Sequence, residues 1–382
     1  MSRYRLFPSP AQEAVLRDQC AHARYVWNLA VEQHAHWRPG RAAAPGYLEQ
    51  CRQLTQARAE FPWLAAGSQT VQQQALRDFA RAMAAFFDPG NPAGRPSWRK
   101  ASRDEEFRIV GRRGRQWDVR RLSRKTGEVW VPKAGWVRFR WSRAVPEGVK
   151  SYRVTMDRAG RWHVAFAVIP EPVSAPGNGE AVGIDRGVAV SAALSTGELL
   201  RVPVLAARER TRLRRLERTL ARARRGSNRR ARVKHAIARL RARETDRRKD
   251  WVEKASTGIV RRFDVIRVED LRITDMTRSA KGTWQKPGRN VRRLEEKAPG
   301  RVEKIKPHHT SQRCSACGQV DRRSRESQAV FRCTACGYAC HADVNAAQNI
   351  AAGHAVTARG GDGDTRPANR EPQLLASLTG CE

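Results

Sequence analysis

Two Cys-x-x-Cys pairs, Cys314 with Cys317 and Cys333 with Cys336, stand fifteen residues apart toward the end of a chain of 382 residues. Thiolates two residues apart in a tight turn can both reach one tetrahedral ion, and Gly318 and Gly337 follow the pairs where the backbone must curl beneath the sulfurs. The spacing predicts a zinc ribbon over residues 308–340, with Cys314, Cys317, Cys333 and Cys336 holding one structural Zn2+. Cys340 and His341 lie close by as spare donors. A site closed by four thiolates keeps no open coordination position, so its metal builds structure and leaves chemistry to other residues. The chain has eight cysteines and is long enough to bury a core without disulfides, so the pairs argue for metal and a reducing compartment. No apolar segment follows Met1 and no run of about 18 apolar residues occurs, which predicts a cytoplasmic protein that does not engage membranes.

Charge narrows the partner. Against 38 Asp and Glu the chain sets 74 Lys and Arg, a formal charge of +36. Such an excess points to a polyanion, and its spread over the whole chain among tryptophans suits nucleic acid better than a membrane-anchoring helix. The density peaks in residues 205–262, which read as an arginine-rich helical hairpin turning at Gly226 and Ser227. Leu213, Leu216 and Leu220 share one face of it, and Val233, Ile237 and Leu240 another. Glu209, Glu217, Glu244, Asp246 and Asp250 are too few to neutralise it, leaving guanidinium groups for phosphate. Trp98, Trp130, Trp136, Trp141 and Trp162 lie among basic residues, where stacking on unpaired bases and packing in a β core explain them equally well.

The period of apolar residues divides the rest. After a short strand, Ser9, Pro10 and Gln12 signal a helix entry, and Leu16, Cys20, Ala23, Trp27 and Ala30 form its stripe. A second helix places Val71, Ala75, Phe79, Met83 and Phe86 on one face, with Ser68 as cap. The period then becomes two: Val137, Phe139 and Trp141, then Tyr152, Val154 and Met156, then Trp162, Val164, Phe166 and Val168 around a turn from Asp157 to Gly160. Pro and Gly mark a linker at 171–180. Beyond it "AVGIDRGVAVSAALSTGELL" reads as two strands joined by a Ser-Thr-Gly-Glu turn, and "FDVIRVEDL" as a strand buried in an α/β sheet.

Three carboxylates sit at special places on this outline: Asp185 in the first strand after the linker, Glu269 at the end of the later buried strand, and Asp343 opening a helix. Singly, a strand-end turn, a partner for one of many arginines, and an N-cap for the helix 344–351 account for them. Their order along the chain is that of an RNase H-like nuclease site, where clustered acids need counter-charge and two Mg2+ ions supply it.

With "YRLFPSPAQEAVL…ARYVWNLAVEQ", "GRPSWRK", "GIDRGV", "VIRVEDL" and "TSQRCSACG…FRCTACGYACHADVNAAQNI", the chain resembles the TnpB/OrfB family of transposon-encoded RNA-guided DNA nucleases, related to type V CRISPR effectors, over residues 3–352. The resemblance implies an α/β multidomain fold. A wedge β-barrel would occupy 1–170, with a helical recognition lobe inserted at about 10–100. An RNase H-like RuvC domain would occupy 181–352, containing the hairpin and the inserted zinc ribbon, before a disordered tail at 353–382. Asp185, Glu269 and Asp343 match the RuvC acidic triad that holds Mg2+, and a guide RNA from the transposon end and a DNA target are implied as partners. One departure from the family is expected: the passage from Glu269 to the ribbon looks shortened near Val291 and Arg292, with a helix-and-strand layer missing or replaced. That departure keeps two alternatives to a cutting enzyme open, a cleavage-deficient RNA-guided or transposon-end DNA-binding protein and a transposase performing strand transfer.

Overall fold

The computed structural model describes residues 2–36, 43–91, 93–101, 105–111, 113–168, 171–187, 190–270, 289–306 and 309–353, so the tail expected to be disordered lies, beyond Gly353, outside the described residues. Contacts gather the chain into two compact units, Met1–Pro172 with Pro203–Lys254, and Val173–Val202 with the chain from Ala255 onward.

In the first unit, strand β1 (Ser2–Phe7) leads into helix α1 (Pro10–Ala35). The expected entry forms: the Gln12 amide donates to Ser9 Oγ at 3.3 Å, and the Ser9 amide donates to Gln12 Oε1 at 3.0 Å. Such a reciprocal cap satisfies two orphan donors and contributes about 1 kcal/mol. Leu16, Cys20, Ala23, Trp27 and Ala30 are all buried, as their spacing required. Helices α2 (Tyr47–Glu60), α3 (Pro62–Ala66) and α4 (Gln69–Phe87) follow. On α4 the stripe Val71, Ala75, Phe79 and Met83 is buried, whereas Phe86 is 36% exposed. Ser68 holds the N-cap position there, but its side chain makes no cap bond.

Six further strands complete a seven-stranded antiparallel sheet: β2 (Glu106–Val110), β3 (Val119–Arg121), β4 (Thr126–Val131), β5 (Gly135–Arg140), β6 (Ser151–Met156) and β7 (Trp162–Ala167). The order is β2-β6-β7-β1-β5-β4-β3, so among the described residues β2 and β3 remain edges and no barrel closes. Period-two side chains fill its core, and Trp162, 2% exposed, belongs to that core; Trp98 is 55% exposed. Helices α5 (Ala207–Arg222) and α6 (Asn228–Arg262) form the expected hairpin. Gly226 takes φ +83°, a left-handed turn that a side chain would strain. Leu205, Leu213 and Leu240 make its small core. The β6–β7 turn clasps α6 through Arg161, which donates to Asp157 at 2.7 Å and to Asp246 at 2.7 Å, while His163 lies 3.2 Å from Asp157.

The second unit is built on a five-stranded sheet, β8 (Ala181–Asp185), β9 (Ala192–Leu194), β10 (Leu199–Leu200), β11 (Val265–Glu269) and β12 (Val302–Ile305), in the order β10-β9-β8-β11-β12. Strands β8, β11 and β12 run parallel, β9 is antiparallel to β8, and β10 is antiparallel to β9. The stretch read as two strands around a Ser-Thr-Gly-Glu turn contains three, because the chain leaves the sheet after Asp185 and re-enters at Ala192. The expectation that a helix-and-strand layer is missing or replaced before the ribbon is also corrected. Helix α7 (Arg289–Lys297) and strand β12 occupy that passage, with Leu294 and Ala298 buried in the sheet's core. The layer is therefore present. The ribbon hairpin β13 (Val330–Arg332) and β14 (Ala339–His341) leads into α8 (Ala342–Ala351). This last helix lies so close to β8 that a Cβ on Gly183 would sit 2.0 Å from the Ala347 carbonyl oxygen and 2.4 Å from the Ala351 nitrogen, which is why only glycine fits there. Among the described residues no helix is long and apolar enough to cross a membrane.

Candidate active site: three carboxylates beside a four-cysteine cluster

Asp185 ends β8 and Glu269 ends the adjacent parallel strand β11, so both carboxylates leave the sheet at the same edge, where ligands of open α/β sheets bind. Asp343 is supplied by the first turn of α8, the helix packed against β8 through Gly183. The sheet thus brings the three acids of the sequence reading to one region. Asp185 registers the convergence: burial first, then the charges of Glu269 and Asp343, raise its carboxyl from the usual range to about 7, while Arg325 and a hydrogen bond from the Arg186 backbone pull the other way.

The N-cap reading of Asp343 is corrected. His341 is the N-cap of α8, its Nδ1 accepting the Asp343 amide at 3.2 Å. The Asp343 carboxylate is therefore turned outward from the cap, and Arg325 Nη2 donates to its Oδ1 at 3.2 Å. Glu269 is oriented on two sides: the Thr310 hydroxyl donates to its Oε1, and Arg186 Nη2 donates to its backbone carbonyl at 3.1 Å. Sequence reasoning missed Thr310, Arg186 and Arg325. Arg186 could have been found as the neighbour of Asp185 in "GIDRGV"; Thr310 and Arg325 carry no local signal, because folding of the ribbon brings them to the acids.

The four cysteines meet as their spacing demanded, with all ligand atoms within 4.8 Å of one another. Cys314 Sγ lies 3.7 Å from Cys336 Sγ, and Cys317 Sγ 3.6 Å from Cys333 Sγ. A tetrahedron with Zn–S bonds of about 2.3 Å has edges of about 3.8 Å, so the sulfurs fit Zn2+ as they stand. Among the described residues this is the one set of three or more metal-type donors gathered so tightly, and the carboxylates act on one another through charge. Two fully buried asparagines tie this cluster to α8. Asn345 donates to the Arg313 carbonyl at 2.7 Å and accepts the Ser315 amide at 2.9 Å, and Asn349 donates to the carbonyls of Thr310 at 2.9 Å and Arg313 at 2.8 Å. Thr310, which touches Glu269, and the first zinc knuckle thus hang from the helix that carries Asp343.

A model of the OrfB family, described as "Probable transposase", matches residues 163–280, and a model described as "Cas12f1-like, TNB domain" matches 288–350. A helix-turn-helix model of the OrfB family matches 2–39, which folds here, as far as Ala35, as a strand and one long helix. "Putative RNA-guided DNA endonuclease InsQ" of Escherichia coli (strain K12) is 32% identical over 99% of this chain and 98% of its own length. A "Putative RNA-guided DNA endonuclease" of Streptomyces pristinaespiralis is 31% identical over 99% of this chain and 93% of its own. The structure of the Cas12f1-sgRNA-target DNA complex contains a chain of similar fold, TM-score 0.50 at 15% identity, covering 90% of this chain and 83% of that one. Identity at this level along nearly the whole of both chains places the protein in the TnpB/OrfB family, among relatives named as RNA-guided DNA endonucleases.

Proposed function

We propose that the chain is an RNA-guided DNA endonuclease whose cutting site is Asp185, Glu269 and Asp343. The observation that carries the reading is electrostatic and geometric at once. Two adjacent parallel strands and a helix deliver three carboxylates to one sheet edge, where burial first and then the charges of Glu269 and Asp343 raise the Asp185 carboxyl to about 7. Near-full-length identity to proteins named as RNA-guided DNA endonucleases supports a guide RNA from the transposon end and a DNA target as partners. The same reading treats 1–170 as a wedge-type module with its helical lobe, 171–180 as a linker, and 181–352 as a RuvC-like domain enclosing the arginine-rich hairpin and the zinc ribbon.

The oxygen donors suit Mg2+, and the clustered acids fit two hard cations. When bound, such ions supply an activated water and neutralise charge at the phosphodiester. The chain's own residues prepare for this. Asp185, whose carboxyl burial and then the charges of Glu269 and Asp343 raise to about 7, would give up its proton on holding a cation. Glu269 is kept from rotating by the Thr310 hydroxyl. Asp343, which accepts from Arg325, would hold a cation with Asp185 and Glu269, and the Arg325 guanidinium beside it would be a positive charge available to the phosphate.

The test is cleavage of a guide-matched duplex by protein purified with its transposon-end RNA. Wild type cuts with Mg2+, and Asp185→Ala lowers the rate by at least about a hundredfold while still binding RNA. RNA-dependent binding without cleavage by wild type would establish the cleavage-deficient alternative instead, and joined DNA ends without RNA would establish a transposase.

A further inference from the structure

We infer that Thr310, held in place by Asn349, is a positioning residue that makes Glu269 a one-oxygen ligand and so sets the preference of the carboxylate site for Mg2+ over Ca2+. The inference rests on the reading of Asp185, Glu269 and Asp343 as a cation site. Thr310 lies four residues before Cys314, the first thiolate of the ribbon. Its hydroxyl has one proton and donates it to Glu269 Oε1, and among the described residues no other side chain hydrogen-bonds that carboxylate. An oxygen that already accepts a hydrogen bond is the weaker donor to a metal, so Oε2 is left as the stronger ligand.

The choice of a hydroxyl is unusual in this chain. Among 74 Lys and Arg the ordinary partner of an acid is a guanidinium, as for Glu105 with Arg24 at 3.1 Å, Glu106 with Arg153 at 3.0 Å and Glu128 with Arg120 at 2.6 Å. A guanidinium on Glu269 would fix the carboxylate but cancel its charge. A neutral hydroxyl fixes its rotation and leaves the charge for a cation. Arg186 bonds the Glu269 main-chain carbonyl at 3.1 Å and leaves the carboxylate to Thr310.

Thr310 is itself held. Asn349 Nδ2 donates one proton to the Thr310 carbonyl at 2.9 Å and the other to the Arg313 carbonyl at 2.8 Å. Thr310 is 3% and Asn349 2% exposed, so swinging that amide away would orphan buried polar groups. The turn beneath is closed by the Gln312 and Arg313 amides, both donating to the His309 carbonyl at 3.0 Å. His309 takes φ +56°, a left-handed conformation that a residue with a side chain keeps only where its surroundings over-determine it. The hydroxyl therefore cannot follow Glu269 if that side chain turns.

The two cations respond differently to such a carboxylate. Mg2+ demands a nearly ideal octahedron of oxygens at about 2.1 Å, which two oxygens of one carboxylate fit poorly; Ca2+ takes six to eight at about 2.4 Å and readily accepts both. Glu269 with one oxygen on offer matches Mg2+. Released from Thr310, it offers two and admits Ca2+.

The test is binding, measured on RNA-free full-length protein with Mn2+ as the probe. Free Mn2+ is followed by electron paramagnetic resonance while MgCl2 or CaCl2 displaces the bound ion, and Asp185→Asn serves as the blank for other sites. Thr310→Val keeps the shape and removes the donor; it is expected to lower Mg2+ affinity by about tenfold and Ca2+ affinity by less than about twofold. Thr310→Ser restores the hydroxyl and is expected to keep the wild-type ratio. Asn349→Ala leaves the hydroxyl but frees its backbone, and is expected to shift the ratio in the same direction as Thr310→Val. Circular dichroism checks folding, and either of these two variants alone suffices if the other does not fold. An unchanged ratio, or an equal loss for both ions, overturns the role of Thr310. Mn2+ bound by Asp185→Asn as tightly as by wild type overturns the cation site itself.

Discussion

Asp185 concentrates the electrostatics of the site, because burial and the charges of Glu269 and Asp343 act on its carboxyl together. An ionised carboxylate there is held against its neighbours' repulsion until a cation arrives, so binding chemistry is purchased with stability. Asp185→Asn keeps the shape and removes one of the repelling charges. It is expected to stabilise the Mg2+-free protein by about 1–2 kcal/mol, raising the melting temperature by a few degrees, while abolishing cleavage. A thermal scan without Mg2+ in which the variant melts below wild type contradicts this account. At this scale the sequence was informative about acids and thiols, whose chemistry needs fixed residue types at fixed spacings. It was silent on Thr310 and Arg325, which act on Glu269 and Asp343 across a fold that no local pattern announces.

Elements were legible where one local signal dominated. The capping box set the start of α1, and alternation set β6 and β7 with their turn. Helix α7 was misread as a gap because nine short, polar residues offer few apolar positions to a period, and its anchors, Leu294 and Ala298, find their partners only in the folded sheet. The join between the β6–β7 turn and α6 was equally invisible, since it depends on Asp157 and Arg161 meeting Asp246, some 85 residues away. That join has a measurable pH signature. Burial pushes the Asp157 carboxyl up, but bonds from His163 and Arg161 outweigh it and hold the group well below the usual carboxylate range. A depressed folded value means the stabilisation is complete above the unfolded value of about 3.9 and is lost as pH falls below it. Denaturant titrations at pH 5 and pH 3 are expected to show Asp157→Asn less stable than wild type at pH 5, by about 1–3 kcal/mol, with the gap shrinking at pH 3. A gap that widens toward pH 3 refutes the clasp.

For the molecule as a whole the governing quantity is the charge of +36, and two effects of salt compete over it. Salt weakens the chain's ion pairs, but those are mostly exposed or partly exposed and contribute about 0–1 kcal/mol each. Salt also screens the repulsion among surplus arginines, which is summed over every basic pair within about 10 Å at 0.1 M ionic strength and has no acids to offset it between Glu217 and Glu244. Repulsion should win, so raising NaCl from 50 to 500 mM is expected to raise the melting temperature of the RNA-free chain by several degrees. The complex with nucleic acid responds in the opposite sense, because its phosphates already supply the missing counter-charge and salt competes with them. Chloride is the proper anion for the measurement, since sulfate strengthens burial in its own right and presents phosphate-like oxygens to the arginines. A melting temperature of the free chain that falls with NaCl would mean that its arginines are neutralised within the fold, and the polyanion-binding reading would lose its physical basis.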